Sequence, residues 1–223
     1  MDLLEFGHAG ATILAFSTSK GRFFEWEDHG MIDALRHQME NGWFRLICVD
    51  SVDSESWYAD WKHPGARVWR HTEYDHYLAS EVLPFIHSRS MNSFLICAGA
   101  SFGAYHALSF GMRYPQHVQR ILAMSGLCDI KMFTDGFYNE QVYFHNPIDF
   151  IPNESDVTRL YHQRQQNIIL AVGKDDQLVH QNRELSGKLW NHGIGNALRE
   201  WDGFAHDWPV WHKMIDLYIS GLD

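Results

Sequence analysis

The sequence predicts an α/β fold: a mainly parallel central sheet with helices on both faces, in one domain spanning residues 1–223. Three observations predict it. Short apolar runs alternate with longer amphipathic stretches along the whole chain, which is the order of a β-α series. The runs are apolar at consecutive residues, as strands covered on both faces are. The amphipathic stretches end in glycine or run into proline, the usual helix stop signals.

Taken in order, the predicted strands are Ala11 to Phe16, Phe44 to Val49, Ser93 to Ala98, Arg120 to Ser125 and Asn167 to Val172. A sixth run, Ala197 to Asp202, alternates polar and apolar residues and reads as a sheet edge. Helical patterns lie between them. Met31 to Asn41 is closed by Gly42, Tyr74 to Ser88 follows, Ala104 to Arg113 is followed by Pro115, and Arg183 to His192 is closed by Gly193. Asp207 and Pro209 supply an N-cap and a first-turn proline for a last helix reaching Ile219. The stretch from Cys128 to Arg164 breaks this rhythm. It is rich in aromatics, has no clean period and is too long for an ordinary connection, so an insertion at about 128–164 is expected to line the functional site.

Composition excludes several classes. The chain has 223 residues, 45% of them hydrophobic, with 9 Trp, 9 Tyr and 14 Phe, which suits one aromatic-rich core rather than disorder. Its formal net charge of −10, with no offsetting Lys/Arg cluster, leaves nothing to bind a phosphate backbone, so nucleic acid is not an expected partner. No window reaches the 18 or so uncharged apolar residues of a membrane span, and MDLLEFGHAG lacks the basic start of a secretory signal. The three cysteines, Cys48, Cys97 and Cys128, sit in or beside apolar runs and read as buried thiols, so a cytoplasmic location is expected. The oligomeric state is not legible.

The chemistry concentrates in three places. Gly99-Ala100-Ser101-Phe102-Gly103 joins an apolar run to a helical stretch, giving strand, sharp turn and helix. A serine on such a turn needs glycine two residues to either side, because strand and helix crowd each other there. Ser101 is therefore the candidate nucleophile, and the backbone N–H of Phe102 is a candidate oxyanion donor. An activated serine needs a histidine base and an acid to orient it, and in this fold both follow the serine, acid first. The run NIILAV ends in Gly173-Lys174-Asp175-Asp176, so the acid is expected to be Asp176, with Asp175 as competitor and Asp129 behind both. His206 lies in a small-residue loop before the last helix and is the expected base, whereas His192 and His212 fall in helical patterns. The second oxyanion donor is expected from the loop Ser17-Thr18-Ser19-Lys20-Gly21, at Thr18 or Ser19. Trp57, Tyr138 and Phe144 are the expected substrate-binding aromatics. His71, Tyr74, His76 and His145 show no metal-ligand spacing, and neither metal nor cofactor is expected.

Together GASFGAYHA, VGKDDQLV and FAHDWPVW resemble the putative-esterase branch of the α/β-hydrolase superfamily, with its esterase D-like enzymes, feruloyl esterases, enterochelin esterases and mycolyltransferases. The likeness covers nearly the whole chain, and its most specific part is the histidine followed by Asp-Trp and a second Trp. The resemblance implies the α/β-hydrolase fold, a small-molecule ester substrate, and Ser101, Asp176 and His206 as nucleophile, acid and base. The expected activity is therefore carboxylic-ester hydrolysis through an acyl-enzyme on Ser101. An acyltransferase using the same acyl-enzyme is the alternative, and a binding protein on the same scaffold is a third reading, opposed by the complete triad. The chain departs from many relatives in carrying FSTSKGRF where they have His-Gly, and it starts almost at the first core strand, so the N-terminal hairpin of larger members is expected to be shortened or missing.

Overall fold

The computed structural model describes residues 1–220. Seven strands form one sheet in the order β1-β3-β2-β4-β5-β6-β7. They are β1 Leu3–Phe6, β2 Ala11–Phe16, β3 Phe44–Val49, β4 Leu95–Ala100, β5 Arg120–Met124, β6 Asn167–Gly173 and β7 Ala197–Trp201. All neighbours are parallel except β1, which runs antiparallel to β3 with Leu3 opposite Val49. Five of the helices are labelled α1 Pro64–Tyr77, α2 Leu83–Arg89, α3 Phe102–Arg113, α4 Val179–Asn191 and α5 Trp208–Tyr218.

The strand side chains divide by parity, as the pleat requires. Leu14, Phe16, Cys97 and Leu170 join residues of α1 to α4 in one core, while Ile13, Ala15, Ile96 and Ile169 join Trp211, Met214 and Ile215 of α5 in the other. Both faces are thus covered, which is why the strands carry no polar alternation. The mixed α/β architecture of the sequence reading is the observed one, with a few shifts of physical interest. β1 was not anticipated: a short polar-edged strand closes the sheet where the N-terminal hairpin was expected to be shortened or missing. β4 starts at Leu95 rather than Ser93 and ends at Ala100, next to the serine. The helix predicted over Met31 to Asn41 breaks at Leu35, whose side chain is fully buried.

The largest shift lies between β3 and β4. The helix begins at Pro64, ten residues before the predicted start at Tyr74, and His63 caps it by accepting from the Gly65 amide through Nδ1. It continues through a π-helical turn, Leu78–Val82, into α2. Pro84 explains that turn. Proline cannot donate to the carbonyl four residues back and its ring crowds that carbonyl, and a widened turn relieves both faults. The insertion of 128–164 forms short helical turns, and its Val142, Phe150 and Ile151 pack into the cores.

Candidate active site

Ser101 sits between β4 and α3 in a conformation few L-residues adopt, φ 55° and ψ −117°. The flanking glycines make that turn possible. A Cβ on Gly99 would lie 2.2 Å from the Gly103 backbone, and one on Gly103 would lie 2.4 Å from the Phe16 carbonyl oxygen. The Ser101 amide donates to the Met124 carbonyl at 2.8 Å, fixing the turn to β5. The strain of the turn, of order 1–3 kcal/mol, is thereby held by packing and hydrogen bonds around it. At the start of α3 the first amides have no partner within the helix, and that of Phe102 is among them.

His206 reaches Ser101 from the β7–α5 loop. Its Nε2 lies 3.1 Å from Ser101 Oγ and its Nδ1 lies 2.8 Å from Asp176 Oδ2. Asp176 is 3% exposed, and its other oxygen accepts from the Leu178 amide at 2.9 Å. A buried carboxylate held this way accepts the Nδ1–H of the imidazole and leaves Nε2 as the acceptor facing the serine. Asp175, one residue earlier, is exposed, and its amide ties the β6 end to the Gly203 carbonyl. Asp129 caps the 3-10 turn Ile130–Phe133 and accepts from Asn146. His192 and His212 hydrogen-bond the carbonyls of Glu154 and His29.

Two residues that the sequence reading missed hold the histidine loop. Ser125, at φ 49°, donates from Oγ to the Ala205 carbonyl at 2.9 Å and accepts from Trp211 Nε1 at 3.0 Å. The loop passes so close to β6 that a Cβ on Gly173 would lie 2.1 Å from the Phe204 carbonyl oxygen. Phe204, 53% exposed, stacks on the His206 ring at 5.6 Å. The second Trp of the HDWPVW motif is the signal for this clamp, since its indole N–H is the donor that reaches Ser125 from α5.

The loop after β2 is also tied. Thr18 donates from its amide and its hydroxyl to the Glu25 carboxylate, at 2.7 and 2.8 Å. The Ser19 hydroxyl accepts from Tyr58 at 2.7 Å. Burial holds the Tyr58 phenol above its ordinary value, the Ser19 bond acts against this and Asp53 adds to it, so the phenol stays protonated as that donor. The Tyr58 ring packs edge-on against Phe102 at 5.0 Å and Phe133 at 4.8 Å.

Two of the three expected substrate-binding aromatics, Trp57 and Phe144, need correction. Trp57 is 1% exposed, packed among His71 and Tyr105, and offers no surface to a ligand. Phe144 lines a cavity with Arg113, Tyr114, Phe150 and Arg159. Arg113 ends the 12-residue α3 that Ser101 begins, so this cavity lies about 18 Å down the helix axis from the nucleophile turn. Tyr138 is exposed and donates to Asp149, within the insertion. Each was placed by its position in an aromatic-rich segment, which does not reveal which way a side chain turns. Of the aromatics packed on Phe102 or His206, Tyr58, Phe133 and Phe204 are the ones that are not buried.

Among the described residues no group of three or more His, Cys, Asp or Glu could hold a metal ion, and no helix is long and apolar enough to cross a membrane. A family model described as "Putative esterase" matches residues 25–217. An acetyl esterase of Caldicellulosiruptor saccharolyticus is 31% identical over 133 residues, covering 52% of this chain and 50% of that protein. The match therefore spans about half the length of that relative. A ferulic acid esterase superposes with a TM-score of 0.71 at 20% identity, covering 95% of this chain and 83% of the other. An S-formylglutathione hydrolase from Agrobacterium tumefaciens superposes with a TM-score of 0.74 at 14% identity, covering 96% and 83%. At these identities the two structures show a shared fold.

Proposed function

This chain belongs to the putative esterase family and has the α/β-hydrolase fold, and on that premise we propose that it hydrolyses carboxylic esters through an acyl-enzyme on Ser101. The observation that carries the proposal is the His206 imidazole, which spans Ser101 Oγ at 3.1 Å and Asp176 Oδ2 at 2.8 Å.

His206 Nε2 takes the hydroxyl proton as Ser101 Oγ attacks the ester carbonyl, and Asp176 stabilises the imidazolium that forms. The tetrahedral oxyanion is met by the Phe102 amide, with the second donor drawn from the Thr18–Ser19 backbone. For Thr18 to serve, its amide must exchange the Glu25 carboxylate for the oxyanion. The tetrahedral adduct collapses as His206 protonates the leaving alcohol. Water, deprotonated by the same Nε2, then attacks the acyl-enzyme, and the acid leaves with Ser101 restored. No step requires a metal or a cofactor. The aromatic edges of Tyr58 and Phe133, reached through Phe102, form the wall offered to the acyl or aryl part of a small ester, and the acetyl esterase relative favours a short acyl group.

The test is a fluorophosphonate probe followed by a panel of p-nitrophenyl esters of increasing acyl length. Labelling of the wild type that Ser101→Ala abolishes supports the proposal. A wild type that neither labels nor turns over any ester rejects it. Product analysis with and without an added alcohol separates hydrolysis from transfer, since transfer yields a new ester at the expense of free acid.

A further inference from the structure

A second acid–histidine pair lies behind the first, and the mechanism above does not use it. Asp53, 0% exposed, places Oδ1 2.8 Å from Nε2 of His106, which is 2% exposed. Its Oδ2 accepts from the Lys20 amide at 3.1 Å. These contacts join three separate elements. Asp53 belongs to the 3-10 turn Asp53–Glu55 after β3, and His106 to the second turn of α3, five residues beyond the nucleophile. Lys20 belongs to the loop expected to carry the second oxyanion donor, and it holds φ 58°, a left-handed value that costs a non-glycine residue about 1 kcal/mol or more.

The His106 ring also touches both halves of the oxyanion site. It stacks on Phe16 at 5.9 Å, the last residue of β2 before that loop, and meets Phe102 edge-on at 5.1 Å. One imidazole therefore packs on the residue whose amide is one oxyanion donor and on the root of the loop that supplies the other. Its carboxylate partner pins that loop's strained residue. Fold stability alone gives little reason for such a pair, because burying two polar side chains costs a desolvation that their mutual hydrogen bond does little more than offset. Geometry gives a reason, since misplacing a catalytic group by about 1 Å costs on the order of 100-fold in rate.

We propose that Asp53 and His106 are a positioning pair that sets the distance between the Phe102 amide and the 17–21 loop, so that both donors meet the oxyanion. The proposal rests on the esterase reading of Ser101. Neither residue touches substrate, and both act through the backbone they hold.

The experiment compares His106→Phe, which keeps a ring against Phe16 and Phe102 but removes the donor to Asp53, with His106→Gln, which restores an N–H donor at similar reach. Positioning predicts a ~10- to 100-fold fall in kcat for His106→Phe, KM within ~3-fold of wild type, and recovery of most of the loss in His106→Gln. It also predicts faster amide hydrogen exchange in peptides covering 16–24. Asp53→Asn, which keeps an acceptor for Lys20, serves as the second variant if His106→Phe does not fold, with a smaller fall in kcat at unchanged KM. A kcat within ~2-fold of wild type in His106→Phe, or a His106→Gln no better than His106→Phe, overturns the proposal. So does unchanged exchange in the 16–24 peptides, a readout that needs no activity. A wild type without ester turnover rejects the esterase reading instead, and the exchange data then decide the pair on their own.

Discussion

Asp176→Asn isolates the role of the acid with little change in shape. In the wild-type site one carboxylate oxygen accepts from the Leu178 amide at 2.9 Å and the other faces His206 Nδ1 at 2.8 Å. An asparagine that keeps the Leu178 bond must turn its NH2 toward His206. Nδ1 then becomes the acceptor, the proton moves to Nε2, and the imidazole donates to Ser101 instead of accepting from it. Recovering the working tautomer means flipping the amide so that its oxygen accepts from Nδ1–H, which sets its NH2 against the Leu178 N–H and loses a hydrogen bond to a charged group worth about 1.5–3 kcal/mol, while the imidazolium loses its anionic partner at a cost of similar size. The combined loss of about 3–6 kcal/mol corresponds to ~10²- to 10⁴-fold in kcat. KM should stay within ~3-fold, because Asp176 is almost wholly buried and has no face toward a substrate. The control is Asp175→Asn, at an exposed side chain, with kcat within ~2-fold of wild type. Steady-state kinetics on a p-nitrophenyl ester, with circular dichroism to verify folding, reads both variants. An Asp176→Asn enzyme keeping more than about a tenth of wild-type kcat would refute the reasoning. So would an Asp175→Asn enzyme that loses as much as Asp176→Asn.

Further outcomes follow from other parts of the structure. Ser125→Ala removes the donor to the Ala205 carbonyl and the acceptor for Trp211, and should cost ~1–3 kcal/mol of stability together with a fall in kcat as the histidine loop loosens; an unchanged denaturation midpoint and rate would exclude the clamp. Gly99→Ala places a Cβ 2.2 Å from Gly103 backbone that cannot yield, so the variant should be insoluble or unfold well below wild type, and a near-wild-type Tm would contradict the close approach. Burial raises the thiols of Cys48, Cys97 and Cys128, so native protein should resist iodoacetamide at pH 8 and denatured protein should take up three labels. Burial also lowers the pKa of His71, His145 and His117. Unfolded histidine binds a proton near pH 6.5, so the unfolded chain gains protons that the folded one resists. Stability should therefore hold above about pH 6.5 and fall as the pH drops below it, by up to ~1.4 kcal/mol per pH unit for each of the buried His71 and His145 and by much less for the partly exposed His117. The Asp75 carboxyl, raised by burial, acts in the opposite sense and offsets part of that loss as it protonates. Guanidinium midpoints measured from pH 8 to pH 5 decide this, and a flat profile would contradict the burial of these rings.

Strand positions were legible because burial on both faces leaves a run such as ILAF or LICA with no polar residue, and a run of that length suits a strand. β1 escaped notice for the converse reason: an edge strand with Glu5 in its middle shows neither continuous burial nor a turn signal before it. The early start of α1 was hidden by Arg67 and His71, two polar residues that turn inward and disrupt the apolar period. Arg67 is buried because its guanidinium donates to the carbonyls of Ala59, Asp60 and Lys62 in the loop just before the helix and to that of Phe133 across the fold, acceptors whose placement no apolar period reveals. Ser101, Asp176 and His206, which the structure brings together, stood out in the sequence because each follows the end of a strand in the required order. The aromatics could not, because alternation says which residues are apolar and not which face of a loop they take. Asp53 and His106 were invisible for the same reason, since 53 residues of chain separate two side chains that meet at 2.8 Å.

The three loops that bring Ser101, His206 and Asp176 together share a device. At each, a small residue lets one backbone lie closer to another than a side chain would allow: Gly99 against Gly103, Gly103 against Phe16, and Gly173 against Phe204. Contacts of this kind leave little slack, because backbone has no rotamers through which to absorb a displacement. The loops are then locked from outside by Ser125 and Trp211 over the histidine and by the Leu178 amide under the acid. A hydrogen bond tolerates only a few tenths of an ångström before it weakens, so a line from Asp176 through His206 to Ser101 needs supports at least that stiff. Backbone-on-backbone contact at the carboxyl ends of β2, β4 and β6 supplies them. On that view the glycines flanking Ser101 matter to the rate through the placement of the donor loop as much as through the turn they permit, because Gly103 also fixes how near β2, and the loop beyond it, can approach the serine.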